Sequence, residues 1–208
     1  MENNWASENL LAIRTLMERS SIYRRALAPI MIVTGAIGCA ASLVHYFVEI
    51  RSNLAFAMLW MVTACVAFIT ALLLVRRQAL QDAEPFWSMP TRRVWQSLLP
   101  NFFIGLAICI LFSIPGAMPA GMSWILPPVW MLFYGSGLHA AGFFMQRSIK
   151  LFGWMFVILG ALVLVGFNYF PRLQTAEVAH DTMGIFFGAV HLAFGIYLFF
   201  TETRKKAA

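Results

Sequence analysis

The chain alternates between long runs without charged residues and short segments that carry nearly all of its charge. Asp, Glu, Lys and Arg are absent from 26–48, 52–75, 94–146, 151–171 and 182–201. A transmembrane helix needs about 20 apolar residues to cross a hydrocarbon core of about 30 Å. Each run is therefore long enough for one helix, and the longest is long enough for two.

The pattern predicts an all-α integral membrane protein, a compact bundle of six transmembrane helices. Proline and glycine disfavour helix interiors, so the longest run is divided near Pro115, Pro119 and Gly121. Within a transmembrane domain over 26–201, the predicted helices span about 26–48, 54–76, 97–116, 122–145, 151–170 and 183–201. The first 25 residues are too polar for the apolar core of a signal peptide, so they are expected to remain as an N-terminal segment.

Composition and charge agree with a membrane protein. Hydrophobic residues make up 61% of the chain and charged residues 12%, against about 45–50% and about 25% in soluble domains. The net charge of +6 is distributed unevenly along the chain. If the N-terminus is cytoplasmic, only Arg51 and Arg172 of the 15 basic residues lie on the outer side.

This asymmetry predicts that the N-terminus, the loop 77–96 and the basic tail 202–208 are all cytoplasmic, in a bacterial inner membrane. The basic residues are expected to meet anionic lipid headgroups rather than nucleic acid.

Two cytoplasmic segments are candidate docking surfaces. In 4–19, the apolar residues, among them Trp5, fall on one side of a helix. This pattern predicts an amphipathic helix within 1–25, which lies on the inner leaflet or docks onto a partner protein. In the loop 77–96, aromatic and basic residues stand together, a set suited to anchoring at the membrane interface or to binding a cytoplasmic or membrane protein. The candidates in this loop are Phe86, Trp87, Arg92 and Arg93.

Histidines flanked by glycines are the main candidate chemistry within the spans. Gly188, His191 and Gly195 share one face of the last predicted helix, and Gly135, His139 and Gly142 repeat the pattern in the fourth. Small residues at this spacing allow helix backbones to approach closely in lipid. We expect packing between helices 1, 4 and 6, with a face for a homo-oligomer or room for a flat ligand as alternatives.

A haem or metal site would need further ligands near the histidines. His45, late in the first predicted helix, is predicted to lie at a depth that allows approach to His191, and a haem between the helices would take these two histidines as its ligands. A divalent metal such as zinc or copper would draw on His45, His180 and His191, with Glu49 or Asp181 as oxygen ligands. Structural hydrogen bonds between helices are the alternative, and are favoured here.

Ser136 and His191 carry a resemblance to a known family. A serine in helix 4 and a histidine in helix 6 of a six-helix bundle are similar in layout to the rhomboid intramembrane proteases. The resemblance implies a serine nucleophile at Ser136 with His191 as its base. The chain departs from the family pattern at Tyr134, where that family has glycine, and the second predicted helix contains no histidine.

The function favoured by these patterns is non-enzymatic. No carboxylate lies within a predicted span, which argues against transport coupled to protons or sodium through acidic residues. The leading hypothesis is an accessory or regulatory component that interacts through its cytoplasmic face. The alternatives are a binder of haem, metal or a small lipophilic ligand between helices 1, 4 and 6, an uncoupled channel or facilitator, and a rhomboid-like protease.

Overall fold

The computed structural model describes residues 21–83, 85–87 and 89–207, with the backbone alone for 21–25, 89–90 and 202–207. This part of the chain consists of helices and turns without a strand, which confirms the all-α architecture. The amphipathic helix predicted within 4–19, with Trp5, lies outside the described residues.

Six helices follow one another in the part of the chain that the structure describes. They are α1 (Ser21–Val44), α2 (Asn53–Gln81), α3 (Met89–Ser113), α4 (Leu126–Ala141), α5 (Arg147–Tyr169) and α6. The last helix, α6, has three parts: an α-helix over Ala176–Met183, a π-helix over Gly184–Ala189 and an α-helix over Val190–Ala207. Short 3-10 turns precede two of the helices, Met122–Ile125 before α4 and Pro171–Leu173 before α6.

Five of the six helices are long and apolar enough to cross a membrane. The exception is α4, whose 16 residues give a length of about 24 Å at 1.5 Å per residue. The predicted span 122–145 is therefore shortened at both ends, by the 3-10 turn before Leu126 and by the bend that follows Gly142. The described part of the chain therefore has five helices of membrane-spanning length and one shorter helix.

The start of α6 differs most from the sequence-based expectation. The helix begins at Ala176, seven residues before the expected start at 183. The side chain of Thr175 accepts a hydrogen bond from the backbone N–H of Val178 and so caps the first turn. Glu177 in that turn carries the charge sign that a helix N-terminus favours.

The other long helices also reach past the charge-free runs. α2 continues to Gln81, beyond Arg76 and Arg77 and past the predicted end at 76. α3 begins at Met89, so Pro90 lies in a first turn, where a missing backbone N–H leaves no hydrogen bond unmade. The predicted loop 77–96 is therefore shorter than expected, because helices occupy both of its ends.

Close backbone contacts join the helices in two pairs. Gly35 and Gly38 of α1 lie against Gly188 and its neighbours in α6, and a Cβ atom on Gly35 would stand 2.4 Å from the backbone nitrogen of Leu192. In the second pair, Gly135 of α4 lies against Gly153 of α5. Packing of helix 1 on helix 6 agrees with the expectation, whereas α4 packs its glycine face on α5.

The bundle has two chemically different ends. At the histidine end, α1 ends and α2 and α6 begin, and the Asn53 side chain donates to the carbonyl of Pro119 in the loop before α4. At the basic end, α2 ends, α3 begins and the α4–α5 turn lies. Each end has its own apolar core, the first around Phe56, Trp60 and Trp124.

Candidate functional site

A half-buried tyrosine and a buried histidine form a polar pair between α4 and α6. The Tyr134 hydroxyl lies 2.7 Å from His191 Nε2, and His191 Nδ1 lies 2.8 Å from the carbonyl oxygen of Phe186. A carbonyl only accepts, so Nδ1 carries the proton and donates it, and Nε2 accepts from the tyrosine. Both ring nitrogens of His191 are thus satisfied by the protein itself.

The π-helical segment provides the acceptor for His191. In an α-helix the Phe186 carbonyl would accept from the backbone four residues later, but here the register widens over Gly184–Ala189. The side chain of His191, five residues after Phe186, reaches that carbonyl. The rings of Phe152 and Phe156 contact the imidazole of His191, with ring centroids 5.2 and 5.3 Å from that of the imidazole. An aromatic wall therefore encloses the pair.

A second histidine cluster lies at the histidine end. The rings of His45 and His180 stack with centroids 4.9 Å apart and planes inclined by 6°. The indole N–H of Trp60 donates to His180 Nδ1 over 3.1 Å, and the Ser42 hydroxyl donates to the His180 carbonyl over 3.1 Å. The cluster therefore ties α1, α2 and α6 together at one point.

Asp181 closes this cluster on its exposed side. Tyr46 donates its hydroxyl to Asp181 Oδ1 over 2.8 Å, and that hydrogen bond, together with the carboxylate charge, raises the pKa of Tyr46 above its ordinary value. His45 Nε2 stands 3.6 Å from the same oxygen, while its Nδ1 donates to the carbonyl of Ser42. Tyr46 therefore remains a protonated donor to Asp181.

The tautomers of His180 and His191 do not fit a haem or metal site. A metal needs the lone pair of an unprotonated nitrogen. In His180 that nitrogen, Nδ1, accepts from Trp60, and in His191 it accepts from Tyr134. Among the residues that the structure describes, no group of three or more His, Cys, Asp or Glu side chains is arranged to hold a metal ion.

The two histidines expected to share a haem, His45 and His191, also lie at different depths in the bundle. His45 contacts His180, and His191 follows His180 by eleven residues, or about 16 Å of helix. The shift comes from the early start of α6, which moves His180 to the depth of His45.

The space beside each candidate glycine is filled by the backbone of a neighbouring helix, so these glycines do not line an open cavity. A Cβ atom on Gly188 would stand 2.7 Å from the backbone nitrogen of Cys39, and one on Gly195 would stand 2.6 Å from that of Ile32. Gly135 contacts the backbone of α5 in the same way. The space predicted as an alternative site for a flat ligand between helices 1, 4 and 6 is filled by backbone atoms of neighbouring helices.

Ser136 and His139 lie apart from His191. The Ser136 hydroxyl is 2.6 Å from Asn101 Oδ1 of α3 and 2.9 Å from the carbonyl of Phe133. The serine–histidine pair implied by the rhomboid resemblance is not formed, because Tyr134 holds the nitrogen that would act as base. The ring of His139 contacts Phe143 and Trp154 edge-on.

The two aromatic docking candidates of the predicted loop 77–96, Phe86 and Trp87, form an aromatic stack with Trp95 at the basic end. Phe86 contacts Trp87, and Trp87 contacts Trp95 of α3, with centroids 6.3 and 6.5 Å apart. Trp87 and Arg92 are exposed, whereas the guanidinium of Arg93 lies 5.8 Å from the ring centre of Phe144.

Trp60 was not predicted as part of a site, although it fixes the tautomer of His180. A tryptophan in an apolar run ordinarily faces lipid or packs in the core. The only signal in the sequence was the position of Trp60 near the start of α2, which places it close to the histidine end. Comparison with protein-family models, with curated proteins and with solved structures gives no match for this chain.

Proposed function

We propose that this chain is a non-enzymatic membrane protein that acts as an accessory or regulatory component, through interactions of its cytoplasmic face. The observation that carries the proposal is that the polar groups and glycine faces between α1, α4 and α6 are already engaged by the protein itself. His191 and Tyr134 satisfy each other, and the glycine faces of α1 and α6 are filled by backbone. An interior of this kind has a structural role, which leaves the surface for function.

The basic end is proposed to face the cytoplasm of a bacterial inner membrane. Thirteen of the 15 basic residues belong to segments at that end or to the two terminal segments, the side that the positive-inside rule makes cytoplasmic. Both termini would then be cytoplasmic, and the histidine end would face outward.

The exposed part of the aromatic stack is the proposed docking surface. Trp87 is 58% exposed although it contacts Phe86 and Trp95, and Arg92, five residues later in the chain, is also exposed. Tryptophan and arginine are the residue types enriched where protein partners bind most tightly. A membrane or cytoplasmic protein with an apolar pocket and an acidic rim fits this surface.

Site-specific photocrosslinking in cells tests this proposal. A photoreactive residue at Trp87 or Arg92 is expected to give a discrete heavier adduct. Two matched controls carry the photoreactive residue elsewhere. One is at Ile158, a 53% exposed position in the middle of α5, and the other is at Arg172, beyond the opposite end of α5. Absence of the adduct from Trp87 and Arg92, or equal adducts from all four positions, would refute docking at this face.

A further inference from the structure

Two cations at the basic end are held by aromatic rings rather than by carboxylates. Lys150 Nζ lies 3.8 Å from the ring centre of Phe143, and Arg93 lies over the ring of Phe144 at 5.8 Å. Within the described part of the chain, no carboxylate is found within ion-pair distance of either cation, whereas Arg51 and His45 at the histidine end face carboxylates.

The rings under these cations are themselves exposed. Phe143 is 64% exposed and Phe144 38% exposed, so the cations cover only part of each ring. Cation–π contacts at exposed sites contribute about 0.5–1 kcal/mol. They therefore orient the two charges weakly and leave them free to bind an anion.

Close packing fixes the position of Lys150. A Cβ atom on Gly142 would stand 2.8 Å from the Cα of Lys150, so the first turn of α5 lies directly against the end of α4. His139 links the same turn to Trp154, with ring centroids 5.2 Å apart. The lysine is thus presented by a tightly packed hairpin.

An exposed apolar strip continues from Lys150 along α5. Trp154, Ile158 and Leu162 follow at intervals of four residues on one face and are 49%, 53% and 61% exposed. A cation and an aromatic residue at the end of such a strip match the headgroup and acyl chain of one lipid molecule. A protein ligand at this place would have to reach into the hydrocarbon region.

We propose that the α4–α5 turn binds an anionic phospholipid. Lys150 and Arg93 contact the phosphate of the headgroup, Phe143 and Trp154 lie at the level of the glycerol, and an acyl chain follows Ile158 and Leu162. The site needs no protein partner, so its test is separate from that of the proposed docking surface.

Native mass spectrometry of the full-length protein in mild detergent, titrated with phosphatidylglycerol or phosphatidylcholine, tests this site. Removing both charges in Arg93→Gln/Lys150→Gln is expected to weaken binding of the first phosphatidylglycerol by about tenfold or more, since each basic residue near anionic lipid contributes about 1 kcal/mol. The control Arg76→Gln/Arg77→Gln removes the same charge from α2 at the same end. It is expected to weaken binding of the first phosphatidylglycerol much less, because both residues belong to α2 and are not part of the proposed site.

A charge-preserving pair, Arg93→Lys/Lys150→Arg, guards against loss of folding and is expected to retain phosphatidylglycerol. Equal weakening in the control pair would show a general effect of net charge and would overturn the site. Wild-type binding of phosphatidylcholine as tight as that of phosphatidylglycerol would overturn it too, as would loss of binding in the charge-preserving pair.

Discussion

At the scale of single residues, the buried histidines of α6 are paired with donors from other helices. His191 of α6 accepts from Tyr134 of α4, and His180 of α6 accepts from Trp60 of α2. A polar group in an apolar surrounding is costly unless it is hydrogen-bonded. Each pair therefore fixes the position of one helix relative to another.

The Tyr134→Phe variant tests this role. It leaves His191 Nε2 buried without a donor, so the free energy of unfolding in mild detergent is expected to fall by about 1 kcal/mol. Thermal or denaturant unfolding measures the change. Tyr197→Phe, at a position 60% exposed, is the control, and an equal effect in both variants would contradict a structural role for the pair.

The sequence indicated which residues matter in these pairs better than it indicated their partners. Histidines are conspicuous in charge-free runs, so His191 was identified without knowledge of the fold. Tyr134 and Trp60 are 57 and 120 residues away from their histidines, and no local periodicity encodes such a contact. The π-helical register at Phe186 was equally out of reach, because it depends on a side-chain hydrogen bond.

At the scale of helices, glycine faces determine which helices pair. The close approach of α1 and α6 requires hydrogen atoms in place of side chains at Gly35, Gly38 and Gly188. In lipid, association gains little from the hydrophobic effect and depends on van der Waals packing at such faces. The same reasoning applies to Gly135 and Gly153 between α4 and α5.

Gly35→Ala measures this packing. The added methyl group would lie 2.4 Å from a backbone nitrogen of α6, and overpacking of this kind costs about 1–3 kcal/mol. Gly166→Ala in α5 meets nothing within 4 Å and is expected to leave stability unchanged or to raise it slightly through helix propensity. Equal melting temperatures for the two variants would contradict the assigned α1–α6 contact.

Helix boundaries were less predictable than helix number. The charge-free criterion placed the start of the last helix after Asp181, whereas Glu177, His180 and Asp181 lie within α6. Charged residues are tolerated in a first turn exposed at the end of the bundle, and Thr175 provides the cap. This displacement of about 10 Å explains why His45 pairs with His180 rather than with His191.

At the scale of the whole molecule, the two ends differ in how charge is held. At the histidine end, Arg51 stands 3.5 Å from Glu49 and 4.0 Å from Glu177, and Asp181 faces His45. At the basic end, Arg93 and Lys150 rest on aromatic rings. If the basic end faces the cytoplasm, as proposed, its cations meet an anionic inner leaflet, which favours that orientation.

The basic end is proposed to face the cytoplasm, and cysteine accessibility tests this orientation directly. In a chain whose native Cys39, Cys65 and Cys109 have been replaced, Trp87→Cys and Arg172→Cys are labelled separately in intact cells with a membrane-impermeant maleimide. The account predicts labelling of Arg172→Cys from outside and labelling of Trp87→Cys only after lysis. Labelling of Trp87→Cys in intact cells would contradict it.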